Sequence, residues 1–425
     1  MSKVKLPEIF FALNGGSYFM ELIPGKFVPL SSSDVKSHLQ LQGHNTDLKN
    51  DEGLSHGNEI IAKAQIHKYV DYAGPLAGYE AGFYTMPGNK RVLVTDSVRP
   101  VKPGKSKKCP RIETFLGELF DNQGEYVLAW LKIALESLLR GNFMPGQLLV
   151  LAGPPGCGKT FFQWFVTQLL GGRSAKPYRY MTGQTQFNSD LAQAEHLPMG
   201  DVAASYDIRS RKNFASQIKE FCVEPEMSIH GKGKEAITLQ TFRRLTLSVN
   251  DEPEHLLIIP PLDNDISDKI ILTKCNHATL SEDRNENQAE FLGELPAFAA
   301  MLADWKIPKA IKDSRFGVRA FHHPDLLDVV EGSAPEHQLL SIIDEVLWAN
   351  DTKEDVSFWK GSAEQLKVRL MNTPHASTIS RLLYWPAACG TYLARLKQKM
   401  PKRFVATKSK GKTGWVIWKE NNNAD

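Results

Sequence analysis

Apolar positions along this chain change period several times, and the changes mark out its elements. Over 112–140 they recur at helical spacing: Phe115, Leu116, Leu119 and Phe120, then Val127, Leu128, Leu131, Ile133, Leu135, Leu138 and Leu139. That spacing predicts one or two amphipathic helices, broken near 122–124. A continuous apolar run at 148–152 then leads into a Gly/Pro loop and an apolar helix stopped by Gly171 and Gly172. Short apolar runs at 245–249, 256–259 and 270–272 predict further strands of a buried parallel sheet, which makes the fold class α/β. Segments 295–307 and 336–348 read as helices. From Phe358 onward, two or three short helices precede a hairpin, RFVATKSKGKTGWVIW, turning around 410–412. The first hundred residues alternate short β-like runs at 26–30 and 91–95 with Gly/Pro turns, and VKPGKSKKCPR (101–111) reads as a linker.

Composition narrows the class without naming a function. With 425 residues, 42% hydrophobic and 23% charged, the chain is an ordinary globular one with room for two or three domains. No apolar run reaches the roughly 20 residues that cross a bilayer. The amino-terminal apolar patch is interrupted by Asn14 and glycines and is not read as a signal peptide. The five cysteines, Cys109, Cys157, Cys222, Cys275 and Cys389, show no Cys-x-x-Cys pairing. No metal site or disulfide framework is expected, and a reducing cytoplasm fits. The net charge of +3 says little, but its distribution says more: 395–412 carries eight Lys/Arg and no acid, and 102–111 is a second basic cluster. Such segments often meet phosphate backbones, although either one alone fits a solvated face equally well.

The sharpest chemistry lies in GPPGCGKT, which fits G-x-x-x-x-G-K-[ST] in full: Gly153, Pro154, Pro155, Gly156, Cys157, Gly158, Lys159 and Thr160, with Phe161 following in the helix. Glycines let backbone N–H groups turn toward phosphates, Lys neutralises the β/γ oxygens, and the Thr hydroxyl coordinates Mg²⁺. ATP with Mg²⁺ is the expected ligand. The loop needs an acid at the end of a neighbouring strand, and Asp201 in HLPMGDVAASYD is the candidate second Mg²⁺ ligand. The next position, where an acid would polarise the attacking water, is Val202; Glu195 and Asp207 stay open as substitutes. Asn250, at the end of the run in 244–249, can hold that water and sense the γ-phosphate, though Asn-Asp after a strand also reads as a turn. Between acid and Asn, MSIHGKGKEAITL reads as two β arms around a tip bearing His230, Lys232 and Lys234. Such a tip can grip a single-stranded phosphate backbone, or be a plain surface hairpin.

The order loop, acid, basic hairpin, strand-terminal Asn resembles the superfamily-3 helicases, the AAA+-like replicative motors of viruses, phages and plasmids. It is most similar to the helicase part of bacterial and phage primase-helicase proteins, and the resemblance covers roughly 112–274. It implies a homo-hexamer that moves along single-stranded or forked DNA in a bacterial cytoplasm, hydrolysing ATP at subunit interfaces. Lys159 and Thr160 then bind phosphate and Mg²⁺, Asp201 is the second-motif acid, Asn250 senses water, and His230 and Lys232 belong to the DNA-gripping hairpin. An arginine finger is expected downstream of Asn250. Lys269 stands where an Arg is expected in DISDKIIL; Arg284, Arg315 and Arg319 are alternatives, and Arg209 and Arg211 also suit an interface. No primase acids are visible, so priming would belong to a separate polypeptide. The tail resembles a winged helix, with a recognition helix over 378–399, a wing over 403–418 and phosphate contacts from Arg395, Lys397 and Lys399; a small lid is the alternative.

The expected organisation is therefore an amino-terminal accessory region (1–108), a helical collar (109–145), an AAA+-like motor (146–312) and a winged-helix-like domain (313–425). Two other functions fit the loop: a DNA-binding ATPase switch without processive unwinding, and a small-molecule kinase. A kinase has no use for the basic hairpin and tail.

Overall fold

The computed structural model describes residues 6–200, 208–332, 335–348, 358–409 and 412–419. It is a mixed α/β structure that divides into two compact units, Met1–Leu326 and Leu327–Asp425. Among the described residues no helix is long and apolar enough to cross a membrane.

The first unit begins with strands β1 (Ile9–Ala12), β2 (Tyr18–Ile23) and β3 (Lys26–Leu30), then helices α1 (Ser32–Leu41) and α2 (His56–His67). Ser31 caps α1 in a capping box with Asp34, which satisfies orphan N–H groups at its start. Strand β4 (Tyr69–Val70) completes a sheet of order β3-β2-β1-β4, and β5 (Tyr72–Gly74), β6 (Gly82–Met86) and β7 (Lys90–Val94) form a second of order β5-β7-β6. Val35, Leu39, Ile60 and Ala64 on the helices pack against Ile9, Tyr18 and Met20 on the first sheet.

Helices α3 (Pro110–Phe120) and α4 (Gly124–Arg140) follow, broken at Asp121, whose φ of 44° lies outside the helical region. Next come β8 (Leu148–Ala152), α5 (Lys159–Leu169), α6 (Tyr178–Met181), β9 (His196–Gly200), α7 (Ile208–Val223), and the pair β10 (Glu226–Ile229) and β11 (Ile237–Gln240). Strand β12 (Arg244–Val249), α8 (Pro253–Leu256), β13 (Ile270–Lys274) and α9 (Arg284–Asp304) complete this part. The central sheet has the order β13-β8-β12-β9, and every pairing in it is parallel. All residues of β8 and β12 are buried, as befits strands covered on both faces. The largest core joins α3, α4, α5 and α9 to β8 and β13. Phe161 and Phe165 meet Phe291 edge-on, and burying each such ring stabilises by roughly 1.5–3 kcal/mol.

Two expectations differ from the structure. The run at 256–259 is no strand: Pro253 opens the single turn of α8, Pro260 and Pro261 remove ladder donors, and Leu256, Ile258 and Ile259 are buried as a packed turn. The segment 101–109 is a strap rather than a free linker. Val101 N–H donates to the Leu169 carbonyl, Gly104 N–H donates to the Pro296 carbonyl at 2.8 Å, and Cys109 is buried. The first compact unit runs to Leu326, and 318–323 lies along the sheet edge: Leu272 bridges to His322, and His323 N–H donates to the Leu272 carbonyl.

The sheet also holds a buried histidine. His196 on β9 is fully buried between the Thr167 and Thr246 hydroxyls, at 2.7 and 2.9 Å. Burial pushes its pKa down from 6.5 to about 3, so the folded imidazole is neutral. Above pH 6.5 neither folded nor unfolded chain protonates it. Between pH 6.5 and about 3 the unfolded chain takes up a proton that the folded chain refuses, so stability falls with pH by up to about 1.4 kcal/mol per unit. Urea midpoints for wild type and His196→Asn between pH 7 and 5 test this: the variant should show a shallower dependence, and identical slopes would contradict it.

In the second unit, α10 (Pro324–Gly332) crosses the boundary and leads to α11 (Pro335–Trp348), β14 (Phe358–Gly361), α12 (Ala363–Met371), α13 (Ala376–Leu382), α14 (Ala388–Lys399), β15 (Phe404–Ser409) and β16 (Lys412–Trp418). The hairpin β15/β16 carries β14 on its far edge, in the order β14-β16-β15. The single helix expected over 378–399 is split: Pro386 lacks an N–H and pushes Trp385 out of helical geometry, so α13 ends at Leu382 and α14 starts at Ala388.

Candidate functional site

The parallel order places the carboxyl ends of β8, β9 and β12 side by side, where open α/β sheets bind ligands. The loop leaves β8 at Gly153 and turns through Gly156 (φ 74°) and Gly158 (φ 114°), conformations side chains resist. A Cβ at Gly153 would collide with the Cys275 carbonyl oxygen, so only glycine lets the loop leave the sheet this close to the segment after β13. Helix α5 begins directly at Lys159 with no side-chain cap, leaving its first N–H groups for a ligand.

Pro155, Gly156, Cys157, Gly158, Lys159, Thr160 and Phe161 line an open cleft of ≈ 440 Å³, closed on the other wall by Ser248 and Asn250. Lys159 is only 6% exposed. Its Nζ donates to the carbonyl oxygens of Gly153 at 2.5 Å and Pro154 at 2.8 Å, and lies 3.4 Å from Asn250 Oδ1. Among the described residues no carboxylate pairs with it. Burying an ammonium is costly unless it is paired, and an anionic ligand in the cleft would pair with it. Asn250 reaches this cleft because β12 pairs directly with β8. Ser248, which sequence reasoning missed, is the last polar position within β12; its place in RLTLSVN was the available signal. The five cysteines, Cys157 included, are buried free thiols.

Asp201, Val202 and Asp207 lie outside the described residues, but Asp201 directly follows β9, whose carboxyl end opens on the same edge. Glu195 does not substitute for the missing acid. It precedes β9 at the opposite end of the sheet, buried, where its carboxylate accepts from Arg173 Nε at 2.9 Å and Gly78 N–H at 2.9 Å.

The interface candidates separate by their partners. Lys269 is buried, donating to the Asp265 carbonyl at 2.8 Å and Asp268 Oδ1 at 2.6 Å, which holds it inside its own chain. Arg315 pairs with Asp268 at 3.0 Å. Arg319 is exposed, donating to the Lys312 carbonyl at 3.3 Å, and Arg284 opens α9 on the surface. Arg209 and Arg211 sit on α7, with side chains outside the described set.

The basic segment MSIHGKGKEAITL is a hairpin, with β10 antiparallel to β11 and Ile229 opposite Ile237. Lys232 and Lys234 are exposed at its tip, where Lys234 N–H donates to the Gly231 carbonyl. A loop with no signal in the sequence pattern braces it. Asn188, buried, donates to the Ser228 carbonyl at 2.8 Å and accepts from His230 N–H at 2.7 Å. That anchor sets Phe187, 45% exposed, with its ring 5.3 Å from the His230 ring. Nothing in QFNSD is periodic, so no local pattern marks it.

In the second unit the basic tail is partly neutralised. Arg395 pairs with buried Glu336 at 3.4 Å, Lys399 with Glu331 at 3.7 Å, and Arg403 with Asp344. Arg395 and Lys399 are thus less available to phosphates than their sequence suggests, while Lys397, Lys402 and Lys408 stand exposed.

Residues 151–265 match DUF5906, a family of unknown function. A stretch of 101 residues is 34% identical to RuvB-like helicase 1 of Aedes aegypti and 33% identical to that of Drosophila melanogaster. It covers 23% of this chain, and the chain spans about a fifth of the length of these curated relatives. Over 97% of its length the chain is similar to two apo structures of the NrS-1 C terminal region, covering 96% of each, with TM-scores of 0.59 and 0.57. Identities of 14% and 13% make that a likeness of fold alone.

Proposed function

We propose that this chain is an ATP-driven DNA helicase of superfamily-3 type, acting in replication of a phage, plasmid or mobile element. The observation that carries the reading is the buried Lys159 ammonium, held over an open glycine-lined cleft with no described carboxylate beside it. A triphosphate fits those donors. Thr160 and Asp201 would hold Mg²⁺, which adds positive charge where negative charge builds on the γ-phosphoryl group. Asn250 orients the attacking water, and Ser248 lines the wall between it and α5. The RuvB-like stretch and the DUF5906 match over 151–265 support a helicase-like motor.

A neighbouring subunit of a homo-hexamer completes the site. With Lys269 tied to Asp265 and Asp268, exposed Arg284 and Arg319 are the better candidates to reach across. The hairpin tip with Lys232, Lys234 and His230 meets single-stranded phosphates, and Phe187 beside it offers an aromatic face to a base. In the second unit, α12, α13 and α14 with the β15/β16 hairpin form a winged-helix-like module using Lys397, Lys402 and Lys408.

ATP turnover measured with and without single-stranded DNA tests this reading. Turnover should rise severalfold with the strand; turnover indifferent to DNA, from a monomer, would favour a kinase-like enzyme. Lys232→Ala should weaken strand binding and flatten the slope of log affinity against log salt by about 0.7 for each phosphate left without its cation. Turnover without DNA is the reference, and an unchanged slope would remove the hairpin from the interface.

A further inference from the structure

A closed ring of buried hydrogen bonds joins the helix after the loop to the two strands whose ends form the rest of the cleft. Gln163, one turn into α5, donates from Nε2 both to the Met199 carbonyl on β9 at 2.8 Å and to Thr246 Oγ1 on β12 at 2.9 Å. Thr246 Oγ1 lies 2.9 Å from His196 Nε2, and His196 Nδ1 lies 2.7 Å from Thr167 Oγ1. Thr167 Oγ1 donates to the Gln163 carbonyl at 3.0 Å, returning the ring to its start. All four side chains are buried.

The donors fix the direction of every bond. The Thr167 proton points at the Gln163 carbonyl, so Thr167 accepts from His196, and His196 carries its proton on Nδ1. Nε2 is then an acceptor and takes the Thr246 proton, while Thr246 oxygen accepts from Gln163. Both Gln163 N–H groups are used, and each hydroxyl and each ring nitrogen of the other three side chains makes a bond within the ring. Gln163 also lies against Gly200, the last residue of β9, whose Cβ, if present, would stand 3.6 Å from Gln163 Oε1 and 3.9 Å from Ser248 Cβ.

We propose that Gln163, Thr246, His196 and Thr167 are positioning residues that hold Lys159 and Thr160 in register with the carboxyl ends of β9 and β12, so that Asn250 meets the phosphate that Lys159 holds. The inference rests on the nucleotide-site reading above and adds how its three parts are kept in place. The backbone ladder fixes β9 against β12, but apolar packing alone leaves the covering helix α5 free to slide over them. Directional bonds from one glutamine to both strands remove that freedom.

Thr246→Val and Thr246→Ser test it, since valine keeps the volume and loses the hydroxyl, whereas serine keeps the hydroxyl. Thr246→Val should lower kcat about 10–100-fold, as loss of a supporting hydrogen bond behind a metal ligand does. Nucleotide affinity, which the loop supplies, should change less than about threefold. Thr246→Ser should recover most of kcat. A second readout is independent of turnover: with ¹⁵N-labelled histidine, His196 in the wild type should show the Nδ1–H tautomer, and Thr246→Val should shift its Nε2 signal. Equal kcat in Val and wild type, or equal loss in Val and Ser, would overturn the proposal. A Thr246→Val loss matched by lost nucleotide binding would also overturn it. If wild type binds no nucleotide, the site reading itself fails, and the histidine signals then judge the ring alone: an Nε2–H tautomer sinks it.

Discussion

Replacing Lys159 by alanine is expected to lower ATP turnover by at least about 10²–10³-fold, the effect of removing one preorganised donor from a charge-stabilising site. The ammonium is the one described cation lining the cleft, and no other described side chain on that wall replaces it. The fold should survive. Among the described residues Lys159 Nζ meets loop carbonyls, Cys157 Sγ and Asn250, beside an open cleft that water can enter. The residues that pack α5, Phe162 and Phe165, face the core and are untouched. The loss in stability should therefore stay within about 1–3 kcal/mol. Turnover with thermal unfolding as control checks both halves, and retained hydrolysis in a folded variant would remove the nucleotide site from 153–161.

Gly153→Ala should act through a different route and affect both stability and binding. The new Cβ would meet the Cys275 carbonyl oxygen and approach Cys275 Cβ to 2.9 Å, so the backbone must move. Overpacking of this kind costs about 1–3 kcal/mol. The only relief is to push the loop off the segment after β13, which displaces the Gly153 carbonyl that holds Lys159. Nucleotide affinity should fall at least about tenfold with it. Gly156→Ala is the comparison: nothing lies within 4 Å of its Cβ, and the only penalty is the left-handed φ of 74°, about 1–2 kcal/mol. Thermal midpoints and nucleotide titrations of the two variants decide. A larger effect at 156 than at 153 would contradict the close-approach account.

Legibility in the sequence followed the range of each interaction. The step from β8 through the glycine loop into α5 was readable because the apolar period changes within a few residues, and the break between α3 and α4 because apolar spacing lapses there. The run at 256–259 misled because burial and strand formation are different things: flanking prolines leave its apolar residues packed but unpaired. The proline inside 378–399 was visible and overrode the helical pattern around it. What could not be read were contacts between distant positions. Gln163 finds Thr246, and Asn188 finds Ser228, across stretches with no local signature. Glu195 looked like a spare acid until its pairing with Arg173 and its place at the wrong end of β9 were in view.

The proposed function joins the glycine-lined cleft, the strand ends and the hairpin in one claim: ATP consumption at Lys159 pulls a DNA strand. Strand release from a forked duplex, followed in a single turnover with ATP and Mg²⁺, tests it most directly. The account predicts separation by the wild type and none by Lys159→Ala; ATP turnover stimulated by single strands with no strand separation would contradict it.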